Sequence, residues 1–270
     1  MSGLARRLIT AFVLLPLIIL AIRTGPLLLA LLLAVIALLG ARELARVLRG
    51  QGLGLPVWLM ASSAILLVAS QLREGPFDNL FALALVILAA LLVQLIRQDG
   101  RMLVGLSCIV FGAIYVGLLP AYLLRFYDLR GLGAVDPWPV TYALLLVWGC
   151  DTGAFFTGSL IGRHKLWPRV SPGKTWEGAF GGLLVAIVLA VAFGHWAGDL
   201  SLEERIIAGL LTGLFAQAGD LAESQMKREA SMKDSGSTLP GHGGVLDRLD
   251  SLVIAVPVLY YWLRWAVRIP

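Results

Sequence analysis

The sequence predicts an all-α fold: a polytopic integral membrane helix bundle of about nine transmembrane helices, with no soluble domain. Of the 270 residues, 59% are hydrophobic and only 14% are charged, and the mean hydropathy is +0.85. A soluble domain with a hydrated surface does not carry that composition. Apolar runs of about bilayer-spanning length also recur along the whole chain.

The candidate spans are runs of mostly apolar residues close to the roughly 20 that a membrane helix needs. The first two could instead form a tight helical hairpin, because only Arg23, Thr24 and Gly25 separate them. The segments are 8–22, 26–44, 56–72, 77–96, 102–124, 140–161, 176–197, 206–223 and 249–267.

Basic residues are unevenly divided between the two sides of the predicted membrane. With nine spans, the N-terminus and the even-numbered loops share one side, and that side holds 15 of the 22 Lys and Arg residues. Because Lys and Arg concentrate in cytoplasmic loops, this side is predicted to face the cytoplasm. The same bias explains the net charge of +5, so nucleic-acid binding is not indicated. The 15 residues are Arg6, Arg7, Arg42, Arg46, Arg49, Arg97, Arg101, Arg163, Lys165, Arg169, Lys174, Lys227, Arg228, Lys233 and Arg248.

Charge also distinguishes two parts of the chain. Residues 1–136 contain apolar runs and short polar loops, which predicts transmembrane helices that serve as a scaffold with possible lipid or subunit contacts. Residues 137–270 are predicted to form a transmembrane bundle that carries the chemistry, with a charged cytoplasmic loop at residues 224–250.

One charged group interrupts the apolar pattern of the first part. Charges at the end of an apolar run are typical of a helix end whose side chains lie in water at the membrane interface. Arginines at headgroup level can also attract an anionic lipid, and the sequence leaves both interpretations open. The group consists of Arg42, Glu43, Arg46 and Arg49.

Glycines four residues apart recur in the second part and predict helices whose backbones approach closely. Asp151 lies in one of these apolar runs. A carboxylate at membrane depth is costly, so Asp151 is a functional candidate, and the alternative is a helix end in water. The glycine pairs are Gly149 and Gly153, Gly158 and Gly162, Gly178 and Gly182, and Gly209 and Gly213.

The loop Gly162–Gly178 is basic and contains a predicted helix start. Ser171 followed by Pro172 fits an N-cap and the first helical position, which places Lys174 in the first turn, where it could meet an anion. The alternative is a basic loop that serves topology only. The sequence PGKT is not a P-loop, because Pro168 stands where that motif requires Gly and no strand is predicted before it.

The segment Ser224–Asp250, called the signature segment below, concentrates charge next to glycines. Asp247 and Asp250 stand three residues apart at the start of an apolar helix. Asp220 and Glu223 repeat that spacing just before the segment. Carboxylates three apart share a helix face, and such pairs beside Lys and Arg suit a Mg²⁺ ion that also binds phosphate oxygens. Interfacial ion pairing is the alternative.

A long series of residue types runs through the signature segment. It reads Ser-x-apolar-Lys-Arg, then Lys-Asp-x-small, then His-Gly-Gly-apolar-x-Asp-Arg-apolar-Asp. Its members are Ser224, Met226, Lys227, Arg228, Lys233, Asp234, Gly236, Leu239, Pro240, His242, Gly243, Gly244, Val245, Asp247, Arg248, Leu249 and Asp250. The series resembles the signature of the phosphatidate cytidylyltransferase (CDP-diacylglycerol synthase) family. A second element similar to that family comprises Ser171, Pro172, Lys174, Thr175, Glu177 and Gly178.

The resemblance implies a nucleotidyltransferase of phospholipid biosynthesis. Its substrates would be CTP and phosphatidic acid, and its products CDP-diacylglycerol and diphosphate, with direct Mg²⁺-assisted in-line attack by the lipid phosphate. The family also suggests a monovalent cation such as K⁺. The expected location is the cell (inner) membrane, among membrane lipids, with the active site facing the cytoplasm. A homodimer is an open alternative to a monomer.

The resemblance and the charge pattern together assign site residues. The catalytic candidates are Asp220, Asp247, Lys174, Lys227 and Lys233. The substrate-binding candidates are Arg163, Ser171, Lys174, Ser224, Lys227, Arg228, Lys233, His242 and Arg248. The metal-binding candidates are Asp220, Asp247, Asp151, Glu223 and Asp250. For His242, a phosphate donor, a general acid and a turn residue all remain open.

Two other classes of membrane protein fit the sequence less well. A transporter would also carry intramembrane carboxylates, but it should show repeat symmetry between its halves, whereas charge here is concentrated in the second half. A CDP-alcohol phosphotransferase would consume CDP-diacylglycerol, and the Asp-Gly-x-x-Ala-Arg opening of its motif is absent from the sequence.

Overall fold

The computed structural model describes residues 3–72, 76–97, 100–129, 135–236, 238 and 243–267. These residues are mainly helical, as predicted. The helices are α1 (Gly3–Thr24), α2 (Pro26–Gly50), α3 (Val57–Ser70), α4 (Pro76–Arg97), α5 (Met102–Ala113), α6 (Leu119–Ala121), α7 (Trp138–Ile161), α8 (Trp176–Phe193), α9 (Leu202–Glu229) and α10 (Leu246–Ala266).

Six helical segments of the described chain are long and apolar enough to cross a membrane. Two further apolar helices, Phe12–Thr24 and Val57–Ser70, are shorter. The chain is therefore an integral membrane protein of the all-α class, while the number of nine spans remains a prediction. The six segments are Pro26–Gly50, Asn79–Arg97, Met102–Asp128, Trp138–Ile161, Trp176–Trp196 and Leu202–Glu229.

The span Met102–Asp128 changes its helical pitch along its length. After α5 the chain makes one π-helical turn, Ile114–Leu118, and after α6 it continues as a 3-10 helix, Tyr122–Asp128. Pro120 has no backbone N–H for the preceding turn, which interrupts the regular hydrogen-bond ladder at this point.

The chain forms two compact units, and the first consists of residues 1–124 and 229–247. In this unit α3 packs against α2, α4 and α5. Leu59, Ala90 and Ile109 form a buried apolar cluster where α3, α4 and α5 meet. The N-terminal helices therefore share one unit with most of the signature segment.

The second unit consists of residues 125–228 and 248–270. Within it α7 and α8 pack along much of their length. A Cβ atom on Gly182 would lie 2.7 Å from the backbone oxygen of Cys150, so only glycine permits this approach. A Cβ atom on Gly209 of α9 would lie 2.5 Å from Cα of Ile187. The prediction that the glycine pairs mark close helix packing is confirmed at these positions.

The loop before α8 differs from the prediction. Lys165–Trp167 (β1) and Ser171–Thr175 (β2) form an antiparallel two-stranded hairpin, so Ser171 and Pro172 do not start a helix and Lys174 lies in a strand. The helix starts at Trp176, because Thr175 is its N-cap: Thr175 Oγ1 accepts a hydrogen bond from the backbone N–H of Gly178 at 3.1 Å. A residue before proline favours extended backbone, which explains why Ser171 belongs to a strand.

Candidate active site

The second unit brings four carboxylates of α7, α9 and α10 into one group, called the carboxylate cluster. Gly219 of α9 permits the contact with α10, since a Cβ atom there would collide with the backbone oxygen of Asp250. The side chain of Asp250 interacts electrostatically with the other three carboxylates. The cluster consists of Asp151, Asp220, Glu223 and Asp250.

Lys174 of β2 forms an ion pair with Asp220 of α9. Its Nζ lies 2.8 Å from Asp220 Oδ2, and the two side chains are 23% and 31% exposed. The ammonium nitrogen is shielded from solvent and its contact with Asp220 is a charge pair without the geometry of a directional hydrogen bond. Ser224 Oγ donates to Asp220 Oδ1 at 3.3 Å. The hairpin thus places a lysine on the carboxylate cluster, although the predicted helical setting of that lysine was wrong.

Lys227 pairs with Glu223 one turn earlier on α9. Lys227 Nζ lies 3.1 Å from Glu223 Oε1, and both side chains are largely buried. Burying two charges carries a desolvation penalty that their attraction offsets only when they are well paired. The interfacial ion pairing considered for Glu223 is therefore present, but the pair is buried rather than solvated.

Asp151 lies in the middle of α7 and not at a helix end, which excludes the alternative considered for it. Its Oδ1 accepts a hydrogen bond from Ser251 Oγ of α10 at 3.0 Å. The backbone N–H of Ser251 donates to Asp250 Oδ1 at 2.8 Å. Ser251 therefore links the carboxylates of α7 and α10.

Asp247 lies in the first unit, where it holds the signature segment. Asp247 Oδ2 accepts hydrogen bonds from the backbone N–H of Gly244 at 2.7 Å and from Ser235 Oγ at 3.1 Å. The backbone N–H of Ser235 also donates to it, at 3.2 Å. Asp247 stands in the first turn of α10, where a negative charge interacts favourably with the helix dipole. Within the first unit, Asp247 thus accepts hydrogen bonds from Ser235 and Gly244 of the loop. Its role as a metal ligand stays a prediction.

Several basic side chains, among them the predicted substrate ligand Arg163, lie beside the hairpin of the second unit. A cavity of about 720 Å³ is lined by Arg163, His164, Lys165, Trp176, Glu177 and Phe180. Glu177 orders this region, since its carboxylate lies 2.6 Å from His164 Nδ1 and accepts the backbone N–H of Arg163 at 3.1 Å. Basic and aromatic side chains together are typical of the membrane–water interface.

The remaining predicted phosphate ligands are spread over both units. Arg228 Nε donates to the backbone oxygen of Val170 at 3.1 Å, which fastens α9 to the hairpin. Arg248 and Lys233 are exposed, and Ser171 is half-buried in β2. His242 lies outside the described residues, as do Leu239, Pro240 and Gly241.

Comparison with known proteins decides the family. The sequence model of the cytidylyltransferase family matches residues 5–266. The chain belongs to this family. The resemblance found in the signature segment is thereby confirmed, and with it the prediction that the chain is an enzyme of the nucleotidyltransferase class.

Three relatives of this cytidylyltransferase chain carry the name phosphatidate cytidylyltransferase. The Staphylococcus aureus protein is 33% identical over 94% of this chain and 96% of its own length. The Bacillus subtilis protein is 42% identical over 57% of each chain. The Haemophilus influenzae protein is 49% identical over 45% of this chain, and the match spans 44% of that relative. This chain thus matches about half the length of the last two relatives and nearly all of the first.

The cytidylyltransferase chain contains no preformed cage for a metal ion within its described residues: no group of three or more His, Cys, Asp or Glu side chains there is arranged to hold one. Magnesium, however, commonly takes only one or two protein carboxylates and completes its shell with water and substrate phosphate. The oxygen donors of the carboxylate cluster fit that chemistry.

Sequence reasoning missed the buried role of Glu43. The sequence predicts that Glu43 and three arginines form a helix end in water or a group that attracts an anionic lipid, and the arginines Arg42, Arg46 and Arg49 are exposed. Glu43 is 1% exposed and accepts hydrogen bonds from the signature segment. A periodic signal was present, because Glu43 stands three residues after Gly40 and four before Val47, both buried on α2.

Proposed function

We propose that this chain is a phosphatidate cytidylyltransferase, which transfers CMP from CTP to phosphatidic acid and releases diphosphate. The observation that carries the proposal is the 33% identity over nearly the whole length of a relative with that name. The signature segment and the Lys174–Asp220 pair support it, since both join carboxylates to cations as binding of a polyphosphate requires.

The two substrates determine where the reaction takes place. CTP is a water-soluble polyanion and phosphatidic acid is a lipid, so the site must lie at a membrane surface. The basic-residue bias favours the cytoplasmic surface, where CTP is available. A cell-membrane location with a cytoplasmic active site follows from these two requirements.

The lipid phosphate is proposed to attack the α-phosphorus of CTP in line. A bond forms between a lipid phosphate oxygen and the α-phosphorus, and the bond from that phosphorus to the bridging oxygen of the β-phosphate breaks. Diphosphate leaves with the bonding electrons. Because a phosphate monoester is already ionised at neutral pH, the protein needs no general base, and its contribution is positioning and charge neutralisation.

Basic side chains are proposed to hold the phosphates. Lys174, which contacts Asp220, is proposed to pair with a substrate phosphate next to that carboxylate. Lys227, Arg228 and Lys233 would bind the lipid phosphate and the departing diphosphate. The remaining proposed substrate ligands are Arg163, Ser171, Ser224, His242 and Arg248.

Mg²⁺ is proposed as the cofactor. Asp220 and Asp247 are the proposed ligands, with Asp151, Glu223 and Asp250 as further or outer candidates. When bound, the ion would neutralise charge on the phosphate oxygens. A K⁺ ion at the same site and a homodimer also remain proposals.

Purified protein tests the activity directly. With CTP, phosphatidic acid and Mg²⁺, it should form CDP-diacylglycerol and diphosphate in equal amounts. Omission of phosphatidic acid is the control. A purified, folded protein that forms no CDP-diacylglycerol under these conditions would contradict the proposal, and accumulation of CTP inside vesicles would favour the transporter class instead.

Direct attack by the lipid predicts that no cytidylyl-enzyme forms. Protein mixed with labelled CTP and Mg²⁺, without lipid, should keep no label after denaturation and should not exchange labelled diphosphate into CTP. Either signal would require a nucleophile of the protein, such as Ser224, and would exclude the direct mechanism.

Sidedness is expected to match the positive-inside bias. A cysteine introduced by Ser231→Cys, at an exposed position after α9, should react with a membrane-impermeant thiol reagent only from the cytoplasmic side. Asp199→Cys, exposed before α9 and on the predicted opposite side, is the matched control and should react only from outside. The unsubstituted protein corrects for Cys108 and Cys150. The reverse pattern would overturn the predicted topology.

A further inference from the structure

A buried carboxylate of the N-terminal half contacts the signature segment at several points. Glu43 of α2 is 1% exposed, although it stands between exposed arginines. Its Oε2 accepts hydrogen bonds from Ser235 Oγ at 3.1 Å and from the backbone N–H of Leu246 at 3.0 Å. Its Oε1 accepts a hydrogen bond from Thr238 Oγ1. An ionised carboxylate that is removed from water needs such donors, and the loop supplies them.

Two glycines of the segment allow the loop to reach this carboxylate. A Cβ atom on Gly236 would lie 2.7 Å from Glu43 Oε1, and one on Gly244 would lie 2.5 Å from Glu43 Oε2. Any side chain at either position would therefore collide with Glu43. Gly236 and Gly244 thus have a structural reason that involves a residue about 190 positions earlier in the chain.

The contacts of Glu43 are adjacent to those of Asp247. Ser235 Oγ lies 3.1 Å from both carboxylates, and Leu246, which donates to Glu43, immediately precedes Asp247. A serine hydroxyl has one proton to donate, so the two carboxylates share one donor. A change at Glu43 is therefore transmitted to Asp247 through one hydroxyl and one peptide unit.

We propose that Glu43 is a positioning residue of the cytidylyltransferase reaction: it fixes the signature segment and the first turn of α10 so that Asp247 is held in its working orientation. It does not touch substrate. The catalytic part of this inference rests on the proposed function, whereas the fixing of the loop does not.

Glu43→Gln is the principal test. The amide keeps the size of the side chain but replaces one accepting oxygen with an NH₂ group, so Thr238, Ser235 or Leu246 loses its acceptor. We expect kcat/KM to fall about 10- to 100-fold, the range found when a residue that orients a ligand is lost, with a higher Mg²⁺ requirement. Glu203→Gln, exposed in the first turn of α9, is the matched control and should change neither value.

Hydrogen exchange followed by mass spectrometry gives a readout that does not depend on activity. In Glu43→Gln, peptides containing the amides of Ser235 and Leu246 should exchange about tenfold faster or more, because their hydrogen-bonded loop is released. Peptides from the hairpin Lys165–Thr175 should exchange as in the unsubstituted protein. Unchanged exchange in the loop would overturn the proposal, as would faster exchange everywhere with normal activity per folded molecule.

Thr238→Ala removes the hydrogen bond to Glu43 from the loop side and leaves α2 unchanged. This variant therefore still tests the proposal if Glu43→Gln folds poorly. Thr238→Ala alone should speed exchange of the same amides. The double variant should cost little more activity than Glu43→Gln alone, since both remove one connection. Additive losses would contradict the shared role. If even the unsubstituted protein makes no CDP-diacylglycerol, the proposed function fails, and the exchange comparison still decides whether Glu43 holds the loop.

Discussion

Asp220→Asn should lower turnover by at least about 100-fold and leave the protein folded. The substitution removes the charge that pairs with Lys174 and one proposed Mg²⁺ ligand, but it preserves the size of the side chain. Some loss of stability is also expected, because the ammonium nitrogen of Lys174 is shielded from solvent and loses its charged partner. Steady-state formation of CDP-diacylglycerol and a thermal unfolding midpoint, measured on the same preparation, separate the two effects. Asp199→Asn, at an exposed position outside the site, is the matched control.

Asp247→Asn should cause a similar loss of turnover with a larger loss of stability. Asp247 accepts hydrogen bonds from two backbone N–H groups and a hydroxyl, and an amide keeps only one accepting oxygen for them. We expect a cost of about 1–3 kcal/mol in the free energy of unfolding.

The double variant distinguishes a shared role from two separate ones. If Asp220 and Asp247 serve one ion, the double variant should be hardly worse than either single variant, because residues that act as a unit do not contribute additively. Turnover near that of the unsubstituted protein in folded Asp220→Asn would remove the residue on which the proposed mechanism most depends.

The features of the fold that were predicted correctly depend on patterns within short stretches of sequence, namely the length of apolar runs and the spacing of glycines. Membrane helices follow from the length of apolar runs, and those predictions agree with the described helices to within a few residues in most cases. Close helix packing followed from glycine spacing, as at Gly182 and Gly209, because only the absence of a side chain allows backbones so near to each other.

The errors arose where distant parts of the chain decide the local structure. Ser171 and Pro172 have a helix-start pattern, but pairing with β1 and the better cap at Thr175 place the helix start four residues later. In the sequence alone, Glu43 has the pattern of a solvated interfacial charge. Its hydrogen-bond donors, such as Ser235, are some 190 residues later in the chain. The local period places Glu43 on the buried face of α2, but no local pattern indicates which loop residues donate to it.

In the candidate site, too, contacts within one helix could be predicted from the sequence, whereas contacts between elements could not. Carboxylate spacing predicted that Asp220 and Glu223 share one face of a helix, and both belong to the carboxylate cluster. The same spacing paired Asp250 with Asp247, but Asp247 bonds to Ser235 and Gly244 of the loop. The partners could not be inferred in that way. Lys174 reaches Asp220 from a hairpin, and Ser251 links Asp151 to α10, through contacts that only the tertiary fold creates.

The largest effect on folding is expected at a glycine that contacts backbone. A Cβ atom at Gly209 would lie 2.5 Å from Cα of Ile187 and 2.9 Å from the backbone oxygen of Ala186, both in α8. Backbone atoms cannot swing aside as a long side chain can, so Gly209→Ala must push α9 away from α8. The ordinary helix-propensity gain of Gly→Ala, up to about 1 kcal/mol, is too small to offset that separation.

We therefore expect Gly209→Ala to yield little folded protein, or to lower the free energy of unfolding by about 3 kcal/mol or more. Gly54→Ala is the matched control, since a Cβ atom there has nothing within 4 Å. Size-exclusion profiles in detergent and unfolding midpoints of the two variants provide the measurement. If both variants behave like the unsubstituted protein, α8 and α9 do not pack through Gly209. Because Asp220 and Glu223 stand on α9, a displaced α9 should also lower turnover in whatever protein remains folded, whereas Gly54→Ala should retain full turnover.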